Sequence, residues 1–120
     1  MSKFSISLLF ATAIFLSANV KAKSLQQAQQ LQIEQLLNFV KTSECLFIRN
    51  GDEHSGKDAA KHMQRKFDHY KKKIDSAERF IELSATKSSM SGKLYQIRCP
   101  NEKEVSSKTW LLKELARIRK

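Results

Sequence analysis

The chain has 120 residues, of which 41% are hydrophobic and 28% are charged, and its net charge at neutral pH is +10. This length supports one small domain with one modest core, and no repeat, Pro-rich linker or second domain is evident. Such a basic chain suits acidic partners such as nucleic acid, phospholipid or lipopolysaccharide head groups, or an acidic protein, although the charge also serves solubility.

The first 22 residues have the pattern of a secretory signal peptide. Lys3 supplies the positive start, FSISLLFATAIFLSA is continuously apolar, and VKA ending at Ala22 fits a small-residue cleavage site. The apolar stretch is too short for a bilayer span, and no later segment is apolar enough. We expect residues 1–22 to be a signal peptide, with an uncleaved anchor as the alternative, and residues 23–120 to form a single small α+β domain. Cleavage would leave a net charge of +8, because the signal contains Lys3 and Lys21 and no acidic residue.

The first and last helices are predicted by their caps and apolar periodicity. SLQQAQQLQIEQLLNFV begins with Ser24, a good N-cap. Its apolar residues share one helical face: Leu25, Ala28, Ile33, Leu36, Leu37 and Val40. SSKTWLLKELARIRK predicts a last helix that starts at Ser106 or Ser107. The residues that this helix is expected to bury are Leu111, Leu112, Leu115 and Ile118.

The middle of the chain reads as a long helical region. Apolar residues step by three and four from Ala59 to Ser84 without a slip. A single helix of that span would be about 40 Å long, which is awkward in so small a domain. DSAE at residues 75–78 is a capping-box pattern, so we expect a break or sharp bend near Lys73–Asp75. The polar stretch TKSSMSGK is predicted to be a loop.

Two short strands, CLFIR and LYQIRC, are predicted on either side of this helical region. If they pair antiparallel with Cys45 opposite Cys99, then Phe47 faces Ile97 and both strands bury the same face. The two cysteines then lie within disulfide reach, and an oxidising compartment favours the bond. We therefore expect about four helices packed around a short two-stranded antiparallel ribbon stapled by one disulfide.

One motif resembles a phosphate-binding loop. G-x-x-x-x-G-K runs from Gly51 to Lys57, with a strand before it and a helix after it. However, Asp58 occupies the position that needs Ser or Thr, and carboxylates inside the loop would repel phosphates. Ser55 and Asp58 instead form the S-x-x-D pattern of a capping box. We therefore expect no nucleotide ligand.

The three histidines offer a weak metal pattern. Asp58 and His62 are spaced i, i+4, with His54 upstream and His69 downstream, but nothing resembles H-E-x-x-H. Two thiols alone do not close a zinc shell. Histidines on a lysine-rich helix face are normally solvated, so we expect no metal and no other cofactor.

An enzyme could be assembled from a Ser-His-Asp trio. The candidate residues are Ser89 or Ser91 with His54 and Asp52. The chain has no G-x-S-x-G motif, and any small domain contains such a trio by chance. We therefore expect no catalytic residues.

A basic face runs along the middle helical region. Its cations lie away from the apolar stripe: Lys57, Lys61, Arg65, Lys66, Lys72 and Lys73. Such a face can lie on anionic membranes, whereas nucleic-acid binding would need interleaved aromatic residues for stacking, and none is present. We interpret it as a solvated face.

The predicted register has one functional consequence. Arg49 would face Tyr95, so the loops at residues 49–54 and 88–95 would meet at the end of the ribbon away from the disulfide. The candidate binding residues are Arg49, Asn50, His54, Ser88, Ser89, Ser91, Lys93 and Tyr95, with Gly51 and Gly92 permitting close backbone approach. Hydroxyls, an amide and cations suit a polar or anionic group, although Asn-Gly and serines are also ordinary turn residues.

Several motifs in order carry a family resemblance. FIRNG, AAKHMQRK, DSAERFI, SSMSGKLYQIRC and WLLKELARIR, between about Glu44 and Arg119, resemble the YfeK-like family of small exported proteobacterial proteins. That family is a domain of unknown function, so the resemblance implies no activity or ligand. It implies a Gram-negative periplasmic or secreted setting and draws attention to the loop residues. Those residues are Arg49, Asn50, Gly51, Ser89, Ser91, Gly92 and Tyr95.

Three function hypotheses follow from these features. The first is a non-enzymatic periplasmic or secreted binding module that uses the 49–54 and 88–95 loops. The second is a small hydrolase or metal-dependent enzyme at the same loops. The third is attachment of the basic face to an anionic envelope polymer, lipid or nucleic acid. The expected partner is an anionic envelope component or another protein, and the domain should not span the membrane after signal cleavage.

Overall fold

The computed structural model describes the backbone of residues 11–120 and the side chains of residues 26–120. Residues 1–10 of the predicted signal peptide lie outside the described residues. In the part of the chain that is described, no helix is both long enough and apolar enough for a bilayer span. The chain folds as α+β, with four α-helices and a four-stranded antiparallel sheet.

Helix α1 spans Ala11–Lys41 and docks through its C-terminal half. Ile33, Leu36 and Val40 are buried, whereas Ala28 is exposed. The prediction of an N-cap at Ser24 is wrong, because the helix begins upstream of this residue. No Gly or Pro between Ala11 and Ser24 would stop a helix there.

The middle helical region is broken where the capping pattern predicts. Helix α2, Gly56–Tyr70, ends in a 3₁₀ turn over Lys71–Lys73, and helix α3 spans Ala77–Ser84. The Ser76 hydroxyl caps α3 by accepting from the Arg79 N–H at 3.1 Å. The break lets α3 fold back on α2, which brings the Phe67 and Phe80 rings edge to face, 5.6 Å apart.

The central ribbon is wider than predicted. Strand β1 (Leu46–Arg49) pairs with β3 (Gln96–Arg98) in the expected register, with Phe47 opposite Ile97. Strand β2 (Asp52–His54) and strand β4 (Val105–Ser106) extend this pair into a sheet of order β2-β1-β3-β4. The prediction of two strands is therefore corrected to four. The sequence did not indicate β2 and β4, because these strands are short, mostly exposed and lack an alternating apolar pattern.

A disulfide joins Cys45 and Cys99, as the register predicts. It lies just outside the β1–β3 pair, beside the aromatic part of the core. There the Phe39 and Trp110 rings stack at 4.5 Å, and Phe47 meets Trp110 edge to face at 5.6 Å. The bond therefore joins β1 to β3 at the end of the pair that α1 and α4 cover.

Helix α4 spans Ser107–Ile118, and the Ser106 hydroxyl caps it by accepting from the Thr109 N–H at 3.2 Å. Leu111 and Leu115 are buried, as predicted. The prediction that Leu112 is buried is wrong, because this residue is 36% exposed. One residue step rotates a side chain by about 100°, which takes Leu112 off the stripe of its neighbour.

Candidate functional site

The two predicted loops meet at a pocket of about 360 Å³, which we call the Arg49 pocket. It lies beyond the β1–β2 turn, between the 88–90 loop and the adjacent face of α2. Its lining combines residues of both loops with two residues of α2: Arg49, Asn50, Asp52, His54, His62, Lys66, Ser88, Ser89, Met90 and Tyr95. Of the other predicted residues, Ser91 contacts this group through Asn50, and the Lys93 side chain is not part of the lining.

A tight hairpin positions the β1 side of the pocket. Asn50 and Gly51 both have positive φ, 51° and 85°, and they join β1 to β2 with Arg49 paired to Asp52. This is the geometry that Asn-Gly favours in a two-residue turn. Arg49 and His54 then project toward each other, with Arg49 Nη2 at 3.3 Å from His54 Nε2 and 3.4 Å from Nδ1.

Hydrogen bonds from Asn50 tie the hairpin to the 88–93 loop. The Ser91 hydroxyl donates to Asn50 Oδ1 at 2.6 Å, and Asn50 Nδ2 donates to Ser88 Oγ at 3.4 Å. The buried Ser88 hydroxyl also accepts from the backbone N–H groups of Met90 and Ser91. These contacts give Asn50, Ser88 and Ser91 a structural part in building the pocket wall.

The opposite wall comes from α2 and the residue before β3. His62 Nε2 lies 3.1 Å from the Tyr95 hydroxyl, and Lys66 Nζ donates to the same oxygen at 3.2 Å and to the Lys87 carbonyl at 2.8 Å. Burial, aided by the cations Arg49, Lys66 and Arg65, lowers the pKa of His62 to about 4. Burial raises the pKa of Tyr95, and burial with the Arg49 charge lowers that of Lys66. His62 and Tyr95 are therefore both uncharged at neutral pH.

The charges of this pocket are not balanced by ion pairs. Among the described side chains, neither Arg49 nor Lys66 lies within 4.0 Å of a carboxylate oxygen. Asp52 belongs to the lining, yet its carboxylate forms no ion pair with either cation. Arg49 Nε is buried and has no hydrogen-bond partner among residues 26–120. A buried donor without a partner is costly, and two cations that line one pocket without a carboxylate partner suit an anionic group.

The geometry does not assemble the hydrolase trio considered above. The described contact of His54 is with Arg49, and the Ser89 hydroxyl lies 3.5 Å from the Tyr70 hydroxyl. Among the described side chains, no serine is hydrogen-bonded to a histidine. In the same part of the chain, no three residues among His, Cys, Asp and Glu are grouped as metal ligands.

Sequence reasoning placed His62 and Lys66 on a solvated face, and this placement is corrected. Both side chains are half-buried, whereas the neighbouring Lys61 and Arg65 are exposed. Positions 62 and 66 each precede a buried residue of the apolar stripe, so they lie at its boundary. This boundary position, with the i, i+4 spacing, is the signal that could have identified them.

Two other depressions are less suited to an anion. One of about 810 Å³ lies beside the disulfide and Trp110, and its Arg117 is held by Glu114 through contacts of 2.6 and 2.7 Å. Another, of about 390 Å³, lies between α1 and α2, and its lysines share the lining with the Glu34 carboxylate. Neither groups cations around a buried donor that lacks a partner, as the Arg49 pocket does.

Residues 27–119 match a family of unknown function, DUF5329. The chain therefore belongs to this family, and the matched range contains the whole Arg49 pocket. One relative is the uncharacterized protein YfeK of Salmonella typhimurium (strain LT2), which is 35% identical over 79 residues. That alignment covers 65% of this chain and 62% of the relative, so the chain spans less than two thirds of the relative's length. The resemblance to YfeK-like proteins is confirmed, and no solved structure matches the chain.

Proposed function

We propose that this protein is an exported, non-enzymatic binding domain that holds a small ligand by an anionic group in the Arg49 pocket. The observation that carries the proposal is the presence of two cations, Arg49 and Lys66, at one pocket without a carboxylate partner among the described residues. An anion in the pocket would pair with both cations. Arg is suited to this role because its planar fork binds carboxylate or phosphate with two parallel hydrogen bonds.

The directions of the pKa shifts at the pocket support binding rather than catalysis. A nucleophilic phenol would need a lowered pKa, whereas burial raises that of Tyr95. The neutral His62 contacts this phenol and no serine or cysteine among the described residues. The groups are therefore arranged as hydrogen-bonding groups and fixed charges around a ligand, and among the described residues no serine or cysteine is in contact with a histidine base.

Export is supported by two independent features of the chain. Residues 1–22 have the pattern of a signal peptide, and Cys45 and Cys99 form a disulfide of the kind that persists in oxidising compartments. We propose the periplasm of a Gram-negative bacterium or the external medium as the location. An anionic group of an envelope component is the expected source of the ligand.

A titration of the oxidised protein with anions at two salt concentrations tests the proposed function. The probes are sulfate, inorganic phosphate, anionic peptidoglycan fragments and anionic lipid head groups, with a neutral sugar as the negative control. Arg49→Gln and Lys66→Met remove the charges while keeping most of the side-chain volume. Lys61→Met is the matched control, because Lys61 is exposed on the same helix, outside the lining and not among the charges that act on His62.

We expect Arg49→Gln and Lys66→Met each to weaken anion binding by about tenfold or more, since each removes a charge-assisted hydrogen bond. Lys61→Met should bind like the native protein. Equal losses in all three variants, together with affinity that falls steeply with salt, would instead indicate binding by the basic face. That outcome would overturn the pocket as the binding site.

A further inference from the structure

Resting on the proposed function, we propose that an anion in the Arg49 pocket binds together with one proton, which is held by His62 and frees the Tyr95 hydroxyl to donate to the anion. The coupling follows from the three groups that meet at one oxygen. The coupling makes Tyr95 a ligand-binding residue, because the protonation of His62 decides whether the Tyr95 hydroxyl donates to His62 or to the anion.

The Tyr95 oxygen has one hydrogen to donate and two lone pairs to accept with. Lys66 Nζ, 3.2 Å away, can only donate, so it uses one lone pair. His62 Nε2, 3.1 Å away, is either bare or protonated. A bare Nε2 takes the phenol hydrogen, whereas a protonated Nε2 uses the second lone pair and leaves that hydrogen free. A charged imidazole is protonated at both nitrogens, so the charged ring always leaves Tyr95 free to donate to the pocket.

The charges around His62 explain why an anion and a proton should bind together. The groups facing it are Arg65 and Lys66 on its own helix, Arg49 on β1, His54 on β2, and Tyr95 before β3; Asp52 on β2 also lines the pocket. Burial is the largest cause that lowers the pKa of His62 to about 4, and the first three groups are cations that lower it further by opposing a charged imidazole. An anion between Arg49 and Lys66 offsets this repulsion and raises that pKa. Linkage then requires the affinity for the anion to rise as the pH falls.

The direction of the pH dependence of anion affinity, and the pH range over which it occurs, are set by the pKa of His62 with and without the anion. Above the pKa of the anion-bound form, the ring is neutral with or without ligand, so affinity is constant. Below it, and down to the pKa of about 4 in the free protein, binding takes up a proton. In that window, affinity should increase by up to about tenfold for each pH unit.

Sulfate is the sharpest probe, because it stays doubly charged over the whole range and contributes no titration of its own. Its affinity is measured by calorimetry at constant ionic strength from about pH 8 to about pH 5, with proton uptake measured in buffers of different ionisation enthalpy. The chain has three histidines, which give a matched set of variants: His62→Gln, His54→Gln and His69→Gln. Glutamine can still hydrogen-bond but does not titrate in this range.

We expect affinity to rise several-fold toward low pH in the native protein, in His54→Gln and in His69→Gln, and to stay flat in His62→Gln. Tyr95→Phe should lose more affinity at about pH 5 than at about pH 8, because the phenol hydrogen is released to the ligand by protonation of His62.

A pH dependence that survives in His62→Gln would assign the proton to His54 or Asp52 and overturn the inference. Sulfate binding that depends on Arg49 but not on pH would overturn the proton coupling alone. Absence of sulfate binding at every pH would overturn both proposals.

Discussion

Two buried serines, Ser84 and Ser88, contribute differently to the stability of this protein. Ser84 on α3 and Ser88 in the pocket loop are both buried, at 0% and 7% exposure. The Ser84 hydroxyl has no hydrogen-bond partner among the described residues, whereas that of Ser88 holds two backbone N–H groups and Asn50. A buried hydroxyl without a partner carries its desolvation cost uncompensated, so burial alone does not indicate the contribution of a serine.

Alanine substitution of the two serines should separate these roles. Ser84→Ala is expected to leave the free energy of unfolding unchanged or to increase it slightly, because it removes an unpaired hydroxyl and adds helix propensity. Ser88→Ala should lower it by about 1 kcal/mol, because it removes the acceptor of two backbone N–H groups and of the Asn50 amide. Urea unfolding midpoints of both variants make the comparison. A larger loss in Ser84→Ala than in Ser88→Ala would contradict this assignment of hydrogen bonds.

At the scale of elements, the motif that resembled a phosphate-binding loop has a packing explanation. Its first glycine, Gly51, has a φ of 85° in the β1–β2 turn. Its second, Gly56, begins α2 against the end of α1, where an added Cβ would overlap the Val40 carbonyl oxygen and lie 2.8 Å from that of Ser43. Ser55 caps α2 by accepting from the Asp58 N–H at 3.2 Å, as the capping pattern predicts. The two glycines therefore serve a turn and a close helix contact.

The two glycines should respond differently to alanine. Gly56→Ala is expected to lower the free energy of unfolding by about 3 kcal/mol, because backbone carbonyls rather than a flexible side chain block the new methyl group. Gly51→Ala should cost about 1 kcal/mol, because the cost there is the positive φ and nothing lies within 4 Å of the added Cβ. Thermal and urea unfolding provide the measurement. Equal losses would mean that α1 and α2 can separate without penalty.

For the whole molecule, one covalent bond and one polar cluster hold distant segments together. The disulfide joins residues 54 apart, and the segment it closes contains both strands of the hairpin, α2, α3 and the Arg49 pocket. Near the C-terminus, Arg119 contacts Glu78 on α3 and Gln32 on α1. The hydrogen bond with Arg119 lowers the pKa of Glu78 to about 2. The contribution of the Glu78–Arg119 pair to stability is therefore present above pH 4.5 and is lost as the pH falls toward 2. This pair is largely exposed and its contribution is small.

Reduction of the disulfide should therefore have the largest effect on stability. Chain entropy assigns a loop of this length about 4 kcal/mol, which for a domain of this size is about 15 °C or more in Tm. Differential scanning calorimetry with and without reductant measures the effect. The double variant Cys45→Ala, Cys99→Ala is the control, because its Tm should be low and insensitive to reductant. A native Tm that reductant leaves unchanged would refute this role of the bond.

Local and periodic signals were enough to predict much of the fold. The caps at Ser55 and Ser106 and the break before α3 depend on side chains within a few residues of the backbone groups they satisfy. The pairing of Phe47 with Ile97, and with it the disulfide, follows from two strands that must bury the same face. A one-residue shift of either strand would have moved its apolar side chains to the solvent face, which is why the register could be predicted.

The tertiary structure alone decided the second wall of the pocket and the edges of the sheet. His62 and Lys66 lie at the boundary of the apolar stripe, and only the angle at which α2 meets the sheet turns them toward Tyr95 rather than toward water. Strands β2 and β4 form because β1 and β3 offer unpaired backbone groups at their edges, not because their own side chains alternate. By itself, the sequence determined the break before α3, the register of the two central strands and the two loops. Their packing decided which charges lie together without a counter-ion, because those distances join segments far apart in the chain.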